Sequence, residues 1–157
     1  MPSPFEAELM LRILVGFLLG GVLGWERERI GRPAGLRTHM LVSAGATVYT
    51  IVSFYGFGDM GTVRDPGRVA AQIVTGIGFL GAGTIWRTQS AVRGLTTAAS
   101  IWLAAAIGML AGTGLYLLAA FTALLGYTCL TWMRSPSRRR SLGEPSIVGR
   151  DEGVDDS

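Results

Sequence analysis

The stretch VAAQIVTGIGFLGAGTIW, Val69–Trp86, decides the fold of this chain. It has no charged residue, and glycine occupies positions Gly76, Gly78, Gly81 and Gly83. A water-soluble helix rarely tolerates so many glycines, because each costs about 1 kcal/mol relative to alanine. In a bilayer a helix satisfies its own backbone hydrogen bonds, and small residues let neighbouring backbones approach closely. The stretch therefore predicts a packed transmembrane helix.

The composition of the whole chain also favours a membrane protein. Hydrophobic residues make up 49% of the 157 residues, and the mean hydropathy is +0.41. All fourteen basic side chains are arginine, and with eleven acidic side chains they give a net charge of +3. Because the arginines cluster beside apolar runs, they favour anionic lipid as a partner and argue against nucleic acid.

Apolar runs predict an all-α integral membrane bundle of about five transmembrane helices within residues 1–134. The five runs are approximately Leu9–Trp25, Met40–Phe57, Val69–Trp86, Thr97–Ala111 and Leu115–Trp132. Only a short glycine-containing turn separates the last two runs, but together they exceed a single span, so we expect two helices. From residue 135 the chain is rich in proline, glycine and serine. We expect a disordered cytoplasmic tail over residues 135–157.

Arginine placement predicts the orientation of these helices. With five spans, the first loop, the third loop and the tail share one side of the membrane, and these segments carry most of the arginines. The positive-inside rule makes that side cytoplasmic and places the N-terminus outside. The N-terminus lacks a basic region followed by a cleavage site, so we expect no removable signal peptide.

A weak internal repeat relates two parts of the chain. Residues 21–24 (GVLG) resemble residues 78–81 (GFLG), and residues 35–38 (GLRT) resemble residues 94–97 (GLTT). Each copy would consist of a helix, a cytoplasmic loop and a second helix. Such copies suggest parallel repeats related by an axis along the membrane normal, although short glycine matches also arise by chance.

A second set of glycines lies on one face of the first predicted helix, at Gly16, Gly20 and Gly24. This spacing predicts a close helix contact, either within the chain or with a second copy in a homodimer. Arg12 begins the same stripe. We expect Arg12 to extend towards the external surface, with an ion pair to Asp59 or Asp65 as the alternative.

The first cytoplasmic loop contains the densest charge cluster. Its charged residues are Glu26, Arg27, Glu28, Arg29, Arg32 and Arg37. One interpretation is a solvated loop with local ion pairs. The other is a binding site for an anion, a lipid headgroup or an acidic segment of a partner. In that case Thr38 and Thr97 would each cap a helix. The helix N-termini would add positive potential near Arg37 and Arg93.

Polar residues also mark the start of the third predicted helix. Asp65 is expected to cap this helix, with Pro66 at its first position and Arg68 close enough to pair with Asp65. Gln72 lies one turn further in, inside the span. Its amide is expected either to bond to a neighbouring helix or to line a polar path.

The remaining patterns favour neither catalysis nor a cofactor. Residues 76–81 match GxGxxG, but no acidic residue lies between Asp65 and Glu144, which argues against dinucleotide binding. His39 is the only histidine and Cys129 the only cysteine, so the sequence predicts no transition-metal site. The serines in apolar runs, Ser43, Ser53 and Ser100, form no recognisable nucleophile–base pair. We expect no enzyme activity and no cofactor, and the identity of any metal stays unknown.

Three ordered motifs resemble the MgtC/SapB family of bacterial inner-membrane proteins. The motifs are Glu26–Glu28 with Arg32–His39, Arg68–Gln72 with Gly76–Gly83, and Val92–Ala99. The resemblance implies a polytopic α-helical protein of the inner membrane, linked to magnesium limitation and, in pathogens, to survival in host cells. One member of that family also carries a soluble C-terminal domain, and we expect this chain to lack it because its tail is short. The resemblance supports a set of candidate functional positions without giving them roles: Glu26, Arg32, Arg37, Thr38, Asp65, Arg68, Gln72 and Arg93.

Two function hypotheses follow. The first is a non-enzymatic protein of magnesium homeostasis that binds lipid or a membrane protein partner. The second is a transporter or channel for a small ion such as Mg²⁺, with Gln72, Asp65 and the glycine-containing helices along its path. Flux of Mg²⁺ into liposomes would separate the two hypotheses.

Overall fold

The computed structural model describes residues 3–56, 65–89 and 91–132. These residues form five α-helices: α1 (Pro4–Arg29), α2 (Leu36–Tyr55), α3 (Pro66–Ala82), α4 (Leu95–Gly112) and α5 (Tyr116–Trp132). Two short antiparallel strands, β1 (Trp86–Arg87) and β2 (Val92–Arg93), form a hairpin between α3 and α4. Each helix coincides with one predicted apolar run, which confirms the all-α fold. The predicted tail, residues 135–157, lies outside the described residues.

The surface of the bundle is apolar, as expected of helices in a bilayer. Among the exposed side chains, Phe79, Leu117 and Trp132 are 81%, 88% and 89% accessible. Helices α1 and α4 are long and apolar enough to cross a membrane, and α5 is a shorter apolar helix. These features agree with a helical membrane protein, and the number of spans stays a prediction.

Helices α1 and α2 pack along the α1 glycine stripe, which comprises Gly16, Gly20 and Gly24. A Cβ atom at Gly20 would lie 2.5 Å from Ser43 Cβ and 2.6 Å from the carbonyl oxygen of His39. At Gly24 it would lie 2.7 Å from Leu36 Cα. Because no side chain fits at these distances, the two antiparallel backbones are in direct contact, as the spacing of the stripe predicts.

Helix α4 packs against α2 in the same way but runs parallel to it. A Cβ atom at Gly108 would collide with the carbonyl oxygen of Ser43, and one at Gly112 would lie 2.7 Å from Thr50 Cβ. Helix α2 is therefore enclosed by glycines of both α1 and α4. The parallel course of α2 and α4 is also the arrangement that the predicted repeat implies.

Helix α3 lies at the side of this bundle, and its glycines have different surroundings. A Cβ atom at Gly76 or Gly78 would meet no atom within 4 Å in the described part of the chain. At Gly83 it would meet only carbonyl oxygens of α3 itself, whereas at Gly81 it would lie 3.6 Å from Ala98 Cβ. Gly81 thus lies at the contact with α4, while Gly76 and Gly78 leave their parts of α3 uncovered.

Candidate functional site

The connections at residues 30–35 and 83–94 lie at the same end of the bundle, here called the arginine end. A small cavity of about 200 Å³ is lined by residues from both connections and from the adjoining helices: Pro33, Ala34, Thr38, Leu80, Thr84 and Ile101. The opposite end contains the start of α1, the start of α3 and the α4–α5 turn. The predicted site residues divide between these two ends.

Glu26 and Arg27 form a buried ion pair at the end of α1. Arg27 Nε lies 2.9 Å from Glu26 Oε2, and the two residues are only 2% and 3% exposed. Each charge of a buried ion pair has lost its hydration and depends on the other for compensation. Removing one partner therefore destabilises the fold. Arg27 was not among the sequence-predicted site residues, since a charge next to other charges in a loop resembles a solvated side chain.

Glu28 stabilises the first turn of α2. Its Oε2 atom accepts a hydrogen bond of 2.7 Å from the backbone N–H of Leu36, the first residue of that helix. A carboxylate from α1 therefore satisfies one of the free N–H groups of α2 and complements its helix dipole. The start of α2 already has an internal anion, which weakens the expectation that it attracts an external one.

The predicted helix caps at Thr38 and Thr97 are wrong. The caps are Gly35 for α2 and Gly94 for α4, so both threonines lie at the third helical position. Gly94 has φ +92°, a left-handed conformation that glycine adopts without a steric cost. The cap predicted at Asp65 agrees with the structure, since its carboxylate accepts a 2.9 Å hydrogen bond from Gly67 N–H.

His39 links α2 to α4. Its Nδ1 lies 2.9 Å from the carbonyl oxygen of Gly35, and its Nε2 lies 3.0 Å from Ser100 Oγ. Because a carbonyl only accepts, Nδ1 carries a proton. The Ser100 hydroxyl donates to the carbonyl oxygen of Thr97 at 2.8 Å and also lies within hydrogen-bond distance of Nε2. The ring is fully buried. It therefore joins two helices and is not accessible to a ligand in solution.

Three arginine side chains at the arginine end have no partner among the residues that the structure describes. Arg37, Arg87 and Arg93 are exposed. Within the described residues their guanidinium groups make neither a hydrogen bond nor an ion pair. Arg32 is also exposed at this end, and its backbone N–H donates to the carbonyl oxygen of Arg27. Positive charge is therefore available at this surface.

Asp65, Arg68 and Gln72 lie away from the arginine end. Asp65 and Arg68 stand at the start of α3, where the Arg68 backbone N–H donates to the Asp65 carbonyl oxygen. Gln72 is exposed and makes no hydrogen bond within the described part of the chain. These three residues are therefore separate from the binding site that the sequence suggested at the first loop.

Gln72 instead lines a groove between α2 and α3, here called the α2–α3 groove. It has a volume of about 530 Å³ and an almost entirely apolar lining. The lining residues are Leu41, Val42, Gly45, Ala46, Tyr49, Val69, Gln72, Ile73, Gly76, Ile77 and Leu80. A Cβ atom at Gly45 or Gly76 would meet nothing within 4 Å in the described residues, so another molecule can approach both backbones closely.

A second polar cluster, which the sequence did not suggest, lies at the opposite end. Arg12 Nε lies 3.2 Å from Glu8 Oε1, and Arg12 Nη1 donates to the Gly112 carbonyl oxygen at 3.0 Å. Tyr116 donates its hydroxyl proton to the same Glu8 oxygen. Arg12 thus ties α1 to the end of α4, and Glu8 ties α1 to the start of α5. Because Arg12 pairs with Glu8, the alternative of an ion pair with Asp65 is wrong. Asp59 lies outside the described residues.

Comparison with known proteins identifies the family. A sequence model of the MgtC family matches residues 13–139. “Putative magnesium transporter YhiD” of Escherichia coli (strain K12) is 45% identical over 123 residues, which are 76% of this chain and 57% of the relative. “Protein MgtC” of Brucella abortus is 54% identical over 99 residues, 63% of this chain and 40% of the relative.

“Protein MgtC” of Salmonella typhimurium is 52% identical over 106 residues, which are 67% of this chain and 43% of the relative. The chain spans about half the length of the curated relatives it matches. No solved structure matches it. The family match and these identities agree with the helical membrane fold, and the chain belongs to the MgtC family.

Proposed function

We propose that this chain is a membrane protein of magnesium homeostasis that acts by binding a membrane-embedded partner in the α2–α3 groove. The magnesium link is supported by the name “Putative magnesium transporter YhiD” of one relative. The binding role is supported by one contrast within the bundle. Its centre is closed by direct backbone contacts, whereas the α2–α3 groove is open at the side.

The closed centre argues against an ion path along α2. Thr47 Oγ1 lies 2.9 Å from the carbonyl oxygens of both Ser43 and Gly108. Thr50 Oγ1 donates to the carbonyl oxygen of Ala46 at 2.8 Å. Because backbone groups of tightly packed helices hold these hydroxyls, we infer that they strengthen the helix contacts and do not coordinate a passing ion.

The α2–α3 groove has the chemistry of a helix-binding surface in a membrane. Its apolar lining suits a helix in hydrocarbon, and Gly45 and Gly76 would allow close backbone approach. The amide of Gln72 would supply one hydrogen-bonding position, which favours a partner with a polar side chain at the matching depth. A second copy of this chain, in a homodimer, is the first partner that we propose.

We propose no enzymatic step. The one imidazole–hydroxyl pair in the described residues, His39 with Ser100, is 0% and 3% exposed and lies between α2 and α4. A substrate would have to separate these helices to reach it. The hydrogen bonds of this pair therefore serve as links between helices.

Photocrosslinking in native membranes tests the partner proposal. A photoreactive residue at Leu41 in the groove should crosslink to a membrane protein, because Leu41 is 67% exposed there. The matched control is the same residue at Leu117 on α5, which is 88% exposed but lies outside the groove. Equal crosslinking at both positions would contradict a specific groove partner, and mass spectrometry of the product would distinguish a second copy from another protein.

The alternative function is a small-ion transporter, which the name of the YhiD relative favours. In that case Gln72 and Asp65 would line a path completed by a partner. The full chain in liposomes should admit no more Mg²⁺ than protein-free liposomes under our first proposal. Flux that Gln72→Ala abolishes and Gln89→Ala preserves would instead establish transport, because Gln89 lies in the hairpin turn and not in the groove.

We further propose that the arginine end faces the cytoplasm and the N-terminus lies outside the inner membrane of a bacterial cell, because of the positive-inside rule. Single cysteines at Gln89 or Thr113, in a Cys129→Ser background, mark the two ends. An impermeant thiol reagent added to spheroplasts should label the cysteine at position 113 and spare the one at position 89. The reverse pattern would overturn this orientation.

A further inference from the structure

The β1–β2 hairpin is separate from the α2–α3 groove and combines basic with apolar side chains. Trp86, Arg87, Val92 and Arg93 are all exposed, with Trp86 46% and Val92 51% accessible. We infer that this hairpin binds the headgroups of anionic phospholipids at the arginine end of the bundle. The inference does not depend on the groove partner.

The register of the hairpin places each arginine beside an apolar side chain. Trp86 pairs with Arg93, and Arg87 pairs with Val92. Side chains of directly opposed residues project from the same face of an antiparallel pair. One face therefore presents an indole beside a guanidinium, and the other presents a second guanidinium beside a valine.

This combination of basic and apolar side chains is suited to the headgroup region of a membrane. Tryptophan is enriched at the membrane–water interface, because its ring is apolar at one end and polar at the other. A guanidinium group binds phosphate oxygens through two parallel hydrogen bonds. Since Arg87 and Arg93 have no partner within the described residues, an external phosphate would not have to displace an internal carboxylate.

The base and the turn of the hairpin are held in place. A Cβ atom at Gly94 would collide with the carbonyl oxygen of Thr84, so the two ends of the hairpin are in direct backbone contact just beyond the end of α3. At the turn, the backbone N–H of Thr88 donates to the carbonyl oxygen of Ala91 at 2.9 Å. The arginines are thus presented on an ordered support, which lowers the entropic cost of binding.

The cavity next to the hairpin base adds a further basic side chain to this surface. It brings Thr84 close to Thr38 in the first turn of α2. Arg37 precedes Thr38 and is exposed at the same end. A phospholipid with more than one anionic group, or two neighbouring phospholipids, could therefore contact both the hairpin and the Arg37 side chain.

Quenching of tryptophan fluorescence by brominated lipids tests this inference. The full chain, with Trp25→Phe, Trp102→Phe and Trp132→Phe, leaves Trp86 as the only fluorescent indole. In vesicles of phosphatidylcholine with a minor share of phosphatidylglycerol, brominated phosphatidylglycerol should quench Trp86 more than brominated phosphatidylcholine at the same mole fraction. Equal quenching would overturn the inference.

Arginine variants distinguish a specific lipid site on the hairpin from general electrostatic attraction between the basic chain and anionic lipid. The preference for phosphatidylglycerol should fall about fivefold for Arg93→Gln, and again for the double variant with Arg87→Gln. Arg68→Gln is the matched control, because it removes the same charge at the opposite end and should leave the preference unchanged. An unchanged preference in the double variant, or an equal loss in the control, would overturn the hairpin assignment.

Two further measurements separate lipid binding from misfolding of the variants and from binding of free phosphate. Size-exclusion profiles of the variants should match that of the parent chain, and Arg93→Lys should keep part of the preference because it retains the charge. Addition of inorganic phosphate should not reduce the preference. A reduction would identify a site for free phosphate and overturn the lipid assignment. Crosslinking from Leu41 should be the same in all variants, so failure of the lipid assignment would leave the groove proposal intact.

Discussion

Helices α1 and α3 both carry several glycines, but the structure surrounds them differently. The α1 glycine stripe has a spacing of four residues, so its members share one face and meet α2 along its length. On α3, Gly76 and Gly83 lie on one face and Gly78 and Gly81 on the other. Only Gly81 of these four contacts another helix within the described residues. The number of glycines therefore indicates that another helix can approach closely. Their spacing indicates how far along the helix that contact can extend.

The largest effect is expected from Arg27→Ala, in the closed part of the bundle. The change removes the guanidinium that lies 2.9 Å from the buried Glu26 carboxylate. Loss of one partner of a buried pair typically costs about 3–5 kcal/mol. Thermal unfolding in detergent should show a large loss of stability, and Arg29→Ala, at an exposed position on the same helix, should show little. Similar behaviour of the two variants would contradict the buried pair.

Gly20→Ala should also destabilise the closed part, by about 1–3 kcal/mol. The added methyl group would lie 2.6 Å from the carbonyl oxygen of His39, and a backbone atom cannot rotate away as a flexible side chain can. The same unfolding assay measures the effect. Gly45→Ala is a control, because nothing within 4 Å of that position among the described residues would be displaced. A stable Gly20→Ala variant would show that α1 and α2 are less tightly packed.

Gly81→Leu tests the contact between α3 and α4, where the open side of the bundle meets its closed centre. Its effect on stability and assembly should lie between those of Gly20→Ala and Gly76→Ala. A methyl group at this position would touch Ala98 at an ordinary 3.6 Å, but a leucine would push α3 away from α4. We expect lower yield and altered assembly by size-exclusion chromatography, whereas Gly81→Ala should resemble the parent chain. Normal yield and size for Gly81→Leu would argue that α3 adjusts its position at little cost.

The smallest effect on the stability of the single chain is expected from Gly76→Ala, in the open region. No described atom lies within 4 Å of the added methyl group, and alanine favours a helix by up to about 1 kcal/mol over glycine. Unfolding of the monomer should be unchanged or slightly improved. If a partner occupies the α2–α3 groove, crosslinking from Leu41 should weaken in this variant; unaltered crosslinking would argue against close approach at Gly76.

Hydropathy and glycine spacing were sufficient to predict the helices and the α1 contact, because these features are local in the sequence. The polar contacts that join α4 to α1 and α2 were not predicted, because they connect residues that are distant in the sequence. His39 and Ser100 are 61 positions apart, and Arg12 and Gly112 are 100 apart. The hairpin was missed because each strand has only two residues, too few for an alternating pattern. The caps at Thr38 and Thr97 were misplaced because the preceding glycines adopt the cap conformation instead.

The hydrogen bond from Leu36 to Glu28 has a consequence for biogenesis. It joins the end of α1 to the start of α2 through residues only eight positions apart, next to glycines that already let the two helices touch. This helical pair can therefore form as soon as α2 has been synthesised, before α4 exists. We expect the insertion machinery to release α1 and α2 together, as a preassembled unit onto which later helices dock.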